Sequence, residues 1–356
     1  MRRSRRPAAA IVAAAFLFIG CSGGAPVLSP SVAPSPDAPA SQAPTASPDP
    51  VAGKTVRVAY TSESVLLGDF VTKQAWDALA ARGLNVEYQF VADDTLGVQA
   101  VIRGAADLTG STPPSIINAH EQNPKLQALI QHNTQGWSLA SLPSITTVEQ
   151  LAGKRIAVHS ETSFTKTVAD LIIKEYKLPD VEVVIIPGSE VRAQALISGQ
   201  IDATILDIQD VALAAKEAPG KVNLLVSFAE IYPALTSIRF AGSKDWIDAD
   251  PALMHEIVKA FVEAGRAAND DPEATVQAAI ANYPDQDPEV VRAIVEAYIN
   301  GGHWIVNGGM TPENGLQELQ FFHDAGQTTL EPTPANVSAL YRIDILDGVL
   351  KEIGTR

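Results

Sequence analysis

Apolar positions fall into two alternating periods from residue 55 onward. TVRVAY (55–60) is an apolar, β-branched run of strand length, and LNVEYQF (84–90) alternates as a half-buried strand does. Between them, residues 65–82 repeat their apolar side chains at helical spacing and stop at Gly83, the residue best suited to close a helix. A helix over 95–103 follows, then GAADLTGST (104–112). The same order returns further along: KRIAVH (154–159), a helix over 163–177, VEVVIIP (181–187) and RAQALISGQIDATILD (192–207). The two tails match residue by residue, QAVIRGAAD (99–107) against QALISGQID (194–202). Gly104 and Gly199 would each end a helix, with Asp107 and Asp202 opening a short buried strand three residues later. A strand–helix–strand–helix–strand unit written twice predicts two α/β lobes, each a parallel sheet covered by helices.

The repeat also settles an apparent motif. Gly153-Lys154 looks like the end of a phosphate-binding loop, but that loop needs a glycine at 148, where Val148 stands, and the strand-like run follows the lysine. Gly53-Lys54 stands in the same relation to the first copy. Lys54 and Lys154 are therefore expected as solvated residues ahead of the opening strands.

The beginning of the chain has a different texture. Arg2, Arg3, Arg5 and Arg6 precede an apolar stretch from Ala8 to Ile19, too short for a comfortable membrane span. Cys21, the single cysteine, comes next. FIGC (18–21) resembles a bacterial lipobox, with Phe18 where that pattern more often has Leu; this implies a leader over 1–20 and acylation of Cys21, and several acyl chains on one residue anchor stably. Residues 21–52 hold eight of the 24 prolines and no aromatic residue, and read as an extended tether. The net charge is −15, from 26 basic and 41 acidic residues, and becomes −19 without the four leader arginines. Such a chain repels nucleic acid, so no nucleic-acid partner is expected. One cysteine leaves neither an internal disulfide nor a Cys-rich zinc site.

In open α/β sheets ligands lie beyond the carboxyl ends of the strands, where loops enter helices. Four loops qualify: YTSES (60–64), GSTPPS (110–115), HSETSF (159–164) and LDIQD (206–210). Their Ser and Thr hydroxyls could also be helix caps. The candidate ligand-binding residues are Tyr60, Thr61, Glu63, Ser111, Thr112, Ser160, Glu161, Thr162, Ser163 and Asp207, with Trp137 and Tyr232 at the points where the chain would cross between lobes, 135–138 and 229–235.

With these positions in view, the chain resembles the extracytoplasmic solute-binding proteins of ABC importers, in the nitrate, sulfonate, taurine and thiamine-precursor group. LAGKRIAVHSETSF (151–164), PGSEVRAQALISGQIDATILD (187–207) and PALMHEIVKAFVEAGRAANDDPEATVQ (251–277) carry the likeness, over roughly residues 53–330. It implies a type II periplasmic-binding-protein-like fold with two lobes, each a doubly wound, mostly parallel sheet with helices on both faces. The first lobe would hold 53–137 and 235–356, LTSIRFA (235–241) bringing the chain back, and the second lobe 138–234. It also implies a monomer on the outer face of the cell membrane that closes on a small solute and passes it to a permease and, through that, to an ATPase. No cofactor, metal or catalytic residue is implied.

The four loops hold Glu63, Glu161, Asp207 and Asp210 but no Lys or Arg, with His159 the nearest basic group, which disfavours nitrate and sulfonate. Tyr60, Trp137 and Tyr232 could instead stack on a flat heterocycle. Among vitamin-type ligands, likeness to the riboflavin-binding lipoproteins of the group points to riboflavin, with a thiamine-type pyrimidine as the alternative. An enzymatic alternative rests on SFTK (163–166), the Ser-x-x-Lys spacing of penicillin-recognising acyl enzymes, but their Lys-Thr-Gly element is missing. The acids of DWIDADP (245–251) lack the glycine and final Glu of a calcium loop, so Asp250-Pro251 reads as a helix cap.

Overall fold

Among the described residues, ten strands form two sheets. The computed structural model describes residues 49–61, 67–161, 163–233 and 235–356. Cys21, the leader and most of the tether, as well as Glu63 and Thr162, lie outside the described residues. The first sheet takes β1 (Thr55–Tyr60), β2 (Asn85–Phe90), β3 (Leu108–Ser111) and β4 (Leu126–Thr134). The second takes β5 (Ser138–Ser141), β6 (Arg155–Val158), β7 (Glu182–Ile185), β8 (Ala203–Leu206) and β9 (Asn223–Ser227), after which β10 (Thr236–Ser243) rejoins the first. The strand orders are β2-β1-β3-β10-β4 and β7-β6-β8-β5-β9. In each sheet one strand, β10 or β5, runs antiparallel to both its neighbours. The sheets are thus mostly parallel, and both lie within one compact unit.

The sequence repeat has a physical counterpart. Asp107 accepts from the backbone N–H of Arg57 at 2.8 Å and from its guanidinium at 2.6 Å. Asp202 accepts from the backbone N–H of Arg155 at 2.8 Å and from its Nε at 3.4 Å. Each aspartate therefore ties the first strand of its copy to the third, and Gly104 and Gly199 supply the left-handed turn (φ +71° and +74°) that leads into it. Both lysines expected to be solvated, Lys54 and Lys154, are half-buried, and the Lys54 ammonium pairs with Asp250.

The opening helix starts later than its periodicity predicts. A 3₁₀ turn, Leu67–Asp69, precedes the helix Phe70–Ala81. Farther on, Asp or Thr followed by Pro starts five helices. Asp250, Asp271, Asp287, Thr311 and Thr333 each accept from a first-turn N–H, with Pro in the first turn, where a missing donor costs nothing. These helices pack on the first lobe: Trp76 and Phe261 meet edge to face at 5.3 Å between the helices Phe70–Ala81 and Pro251–Asp270. The helix Pro288–Asn300 reaches farther, to the second lobe's helix Ile208–Glu217. Among the described residues no helix is long and apolar enough to cross a membrane.

Candidate ligand cleft

The carboxyl ends of the strands face a cavity of about 110 Å³ between the lobes. From the first lobe, β1 contributes Tyr60 and Thr61, the 3₁₀ turn Gly68 and Asp69, the end of β4 Asn133, and β10 Ser237 and Ile238. Trp137 enters from the segment joining β4 to β5. From the second lobe come Ser189 and Glu190, opening the helix Ser189–Ile197, and Asp207, Gln209 and Asp210 at the start of Ile208–Glu217. Tyr298 completes the wall from the helix Pro288–Asn300.

Local packing fixes the aromatic walls. The Tyr60 ring passes over Gly110, where an added Cβ would sit 2.4 Å from its Cε2, and stacks on Phe240 with centroids 6.1 Å apart. Only a bare backbone at 110 leaves room for it. The Trp137 indole N–H donates to Ser237 Oγ at 3.3 Å. Tyr298, stacked on Trp304 at 5.2 Å, donates its hydroxyl hydrogen to Asp207 Oδ1 at 2.8 Å and so bridges the lobes. Leu67 N–H donating to Gln209 Oε1 at 3.0 Å is a second bridge, and the Lys216–Asp287 ion pair a third. A hydrogen bond to a charged group is worth about 1.5–3 kcal/mol. Tyr298→Phe should therefore favour the open arrangement roughly tenfold or more, read as a larger radius of gyration in solution scattering. An unchanged radius would mean that the other contacts alone hold the lobes.

The electrostatics are one-sided. Burial pushes the Asp210 carboxyl up to about 7, with Asp207 and Glu190 nearby adding to the effect and Arg192 opposing it. Burial also raises Asp207, against hydrogen bonds from the Gln209 N–H and Tyr298 that lower it. Asp94 is raised by burial too, against hydrogen bonds from Thr112. The cations nearby do not face the cavity. Arg192 is 1 % exposed and donates to the carbonyls of Ile186, Gly188 and Ile205. His159 is held below its ordinary range by burial, and its Nδ1 accepts from Gly188 N–H at 3.2 Å.

Of the sequence candidates, the structure brings Tyr60, Thr61, Trp137 and Asp207 together on this cavity. The other described candidates lie elsewhere. Ser111 is fully buried, 3.0 Å from Thr109 Oγ1, and Thr112 hydrogen-bonds Asp94. Ser160 and Ser163 bond each other, Ser163 capping the helix Phe164–Glu175 through Lys166 N–H, while Glu161 is exposed beside them. Tyr232 packs on Phe321 at 4.7 Å in a separate groove with Leu171 and Leu316. Capping accounts for Ser163, and Lys166 is paired with Asp170, so SFTK holds no free nucleophile–base pair. Sequence reasoning did not find Asp69, Asn133, Glu190, Ser237 or Tyr298, and named Gln209 only as part of the loop 206–210. Asp69 and Glu190 follow strand ends and could have been read from that placement. Tyr298 lies 91 residues from its partner Asp207, and nothing local marks it.

The family described as NMT1/THI5 like matches residues 79–275. No curated protein sequence matches the chain. Among solved structures, the chain is similar to a periplasmic sulfonate-binding protein from Methylobacillus flagellatus (17% identity, 84% of this chain and 94% of that one, TM-score 0.62). It is also similar to a protein from Bordetella bronchiseptica (17% identity, 84% and 98%, TM-score 0.68). A third is the periplasmic nitrate-binding protein of Synechocystis (11% identity, 84% and 89%, TM-score 0.65). At these identities the likeness is one of fold, the two-lobed architecture of periplasmic binding proteins.

Proposed function

We propose, since the chain belongs to the NMT1/THI5-like family, that it is the solute-binding subunit of an ABC importer. It acts outside the cytoplasmic membrane, held there through Cys21, and delivers a small solute to a membrane permease and its ATPase. The observation that carries this reading is the cavity between two lobes whose bridging contacts, Tyr298 to Asp207 and Leu67 to Gln209, can form only when the lobes meet. A solute touching both walls favours that closed state by its difference in affinity, and no covalent step is needed. The reading assigns no catalysis, consistent with the capping role of Ser163.

The solute is a small, flat, hydrogen-bonding ring. Drug-sized ligands occupy pockets of about 300–1,000 Å³. At about 110 Å³ the cavity suits a thiamine-type pyrimidine better than riboflavin. The sulfonate and nitrate named for two structural neighbours are anions, and this cavity is lined by carboxylates.

Solution scattering and calorimetry with a panel containing the pyrimidine, riboflavin, taurine and nitrate test the reading. Contraction and heat with one solute are expected; no response to any would overturn it. Trp137→Ala should weaken that solute by about 2 kcal/mol, roughly thirtyfold, as loss of a central aromatic contact does. Unchanged affinity would take Trp137 out of the site.

A further inference from the structure

Resting on the solute-binding reading, we infer that the cleft selects a solute carrying a protonated nitrogen, met by Asp69, Glu190, Asp207 and Asp210, with the Asn133 carbonyl accepting one of its N–H groups. Two independent observations carry this. The first is charge: among the described residues four carboxylates line the cavity, and no Lys, Arg or His does. The second is an orphaned acceptor. Asn133 is 4 % exposed, lines the same cavity, and its Oδ1 has no hydrogen-bond donor among the described residues. A buried acceptor left unmade is costly, and a ligand N–H is what would satisfy it.

The helix N-termini that could hold an anion are already supplied. Helix N-termini attract negative charge, and two open here, but the chain supplies its own. Asp207 caps Ile208–Glu217 and accepts from Gln209 N–H, with Asp210 in the same first turn. Glu190 occupies the first turn of Ser189–Ile197. Arg192, on that same helix, is buried and donates its two terminal nitrogens to three carbonyls, and burial lowers His159 below its ordinary range. A nitrate or sulfonate would enter facing carboxylates with no positive partner. No group of three or more His, Cys, Asp or Glu among the described residues is arranged to hold a metal ion, so the positive charge falls to the solute. Opposite charges in so confined a space interact far more strongly than in water.

Benzamidinium, benzamide and benzoate share size and flatness and carry charges of +1, 0 and −1. Titrated into the protein by calorimetry, alongside thiamine as a permanent cation, they separate charge from shape. Benzamidinium should bind at least tenfold more tightly than benzamide, with benzoate silent. Asp210→Asn and, separately, Glu190→Gln should each cut that preference severalfold while both proteins stay folded by circular dichroism. Equal or better binding of benzamide or benzoate, or a preference untouched in both variants, overturns the inference. If riboflavin or nitrate closes the lobes while no cation does, the inference falls and the solute-binding reading stands. If no solute of any charge binds, both fall.

Discussion

Glu318→Ala should cost the protein about 3–5 kcal/mol of unfolding free energy, the penalty for stranding a buried charge. Glu318 is 0 % exposed and accepts from Arg239 Nε at 3.0 Å, from the Tyr341 hydroxyl at 2.8 Å and from Thr236 N–H at 3.2 Å. Arg239, 1 % exposed, also lies 4.8 Å over the Tyr341 ring. Removing the carboxylate leaves a guanidinium, a phenol and a backbone donor without their acceptor in a dry interior. Desolvating an ion pair offsets much of its attraction, so replacing both partners by apolar residues of similar volume should recover most of the loss. The damage reaches function because Thr236 and Arg239 belong to β10, the strand that carries Ser237 and Ile238 to the cleft. Urea unfolding decides it. A loss below about 1 kcal/mol for Glu318→Ala would mean that water enters and solvates the pair.

The architecture could be read from the sequence because it was written twice with the same residues in the same structural roles. Asp107 and Asp202 are matching letters of the repeat, and both tie a first strand to a third through an arginine of that strand. Asp250-Pro251 announced a helix start for local reasons, which is why such a signal transfers so well from letters to structure. The cleft was half legible. Tyr60, Thr61 and Asp207 stand at ends of strands that the repeat predicts, and that rule located them. The Ser and Thr residues of the same loops were ambiguous because a hydroxyl near a helix start can serve the helix as well as a ligand. Ser163 serves the helix. Asn133 was invisible for another reason. Its significance is a missing donor in a buried place, and no sequence pattern reports an absence. Tyr298 reaches the site through tertiary packing of a helix far along the chain, with Gly68 leaving space for its hydroxyl, where a Cβ would come within 2.4 Å. Phe321 takes Tyr232 away from the cleft, a contact that neither residue's neighbours foretell.

The acidity of the cleft gives the second large effect. Asp210 titrates near 7 in the folded protein, against an ordinary value of 3.8, chiefly because it is buried. Glu190 and Asp207 push in the same direction, a hydrogen bond with Ser189 and then the Arg192 charge oppose, and Asp69 and Tyr298 line the cavity from the other side. Between those two values the native state keeps a proton that the unfolded chain has released. Stability from this group is therefore full below about pH 4 and is lost as pH rises to about 7. Asn mimics the protonated carboxyl and does not titrate. Asp210→Asn should match the wild type near pH 4 and exceed it by about 4 kcal/mol above pH 7, at about 1.36 kcal/mol per pKa unit. Exposed carboxylates such as Asp49, held low by Arg82 first of all, titrate alike in both proteins and cancel in the comparison. Urea midpoints at pH 4, 5.5 and 7.5 measure the divergence, and parallel curves would place Asp210 in contact with solvent. The same proton links stability to the cargo. A cation entering the cleft near neutral pH favours the ionised carboxylate, so binding should release protons, seen as a calorimetric heat that varies with the ionisation enthalpy of the buffer. The Asn variant should lose both that buffer dependence and part of its hold on the cation. A site destabilised by its own empty charge is in this way completed by the solute it admits.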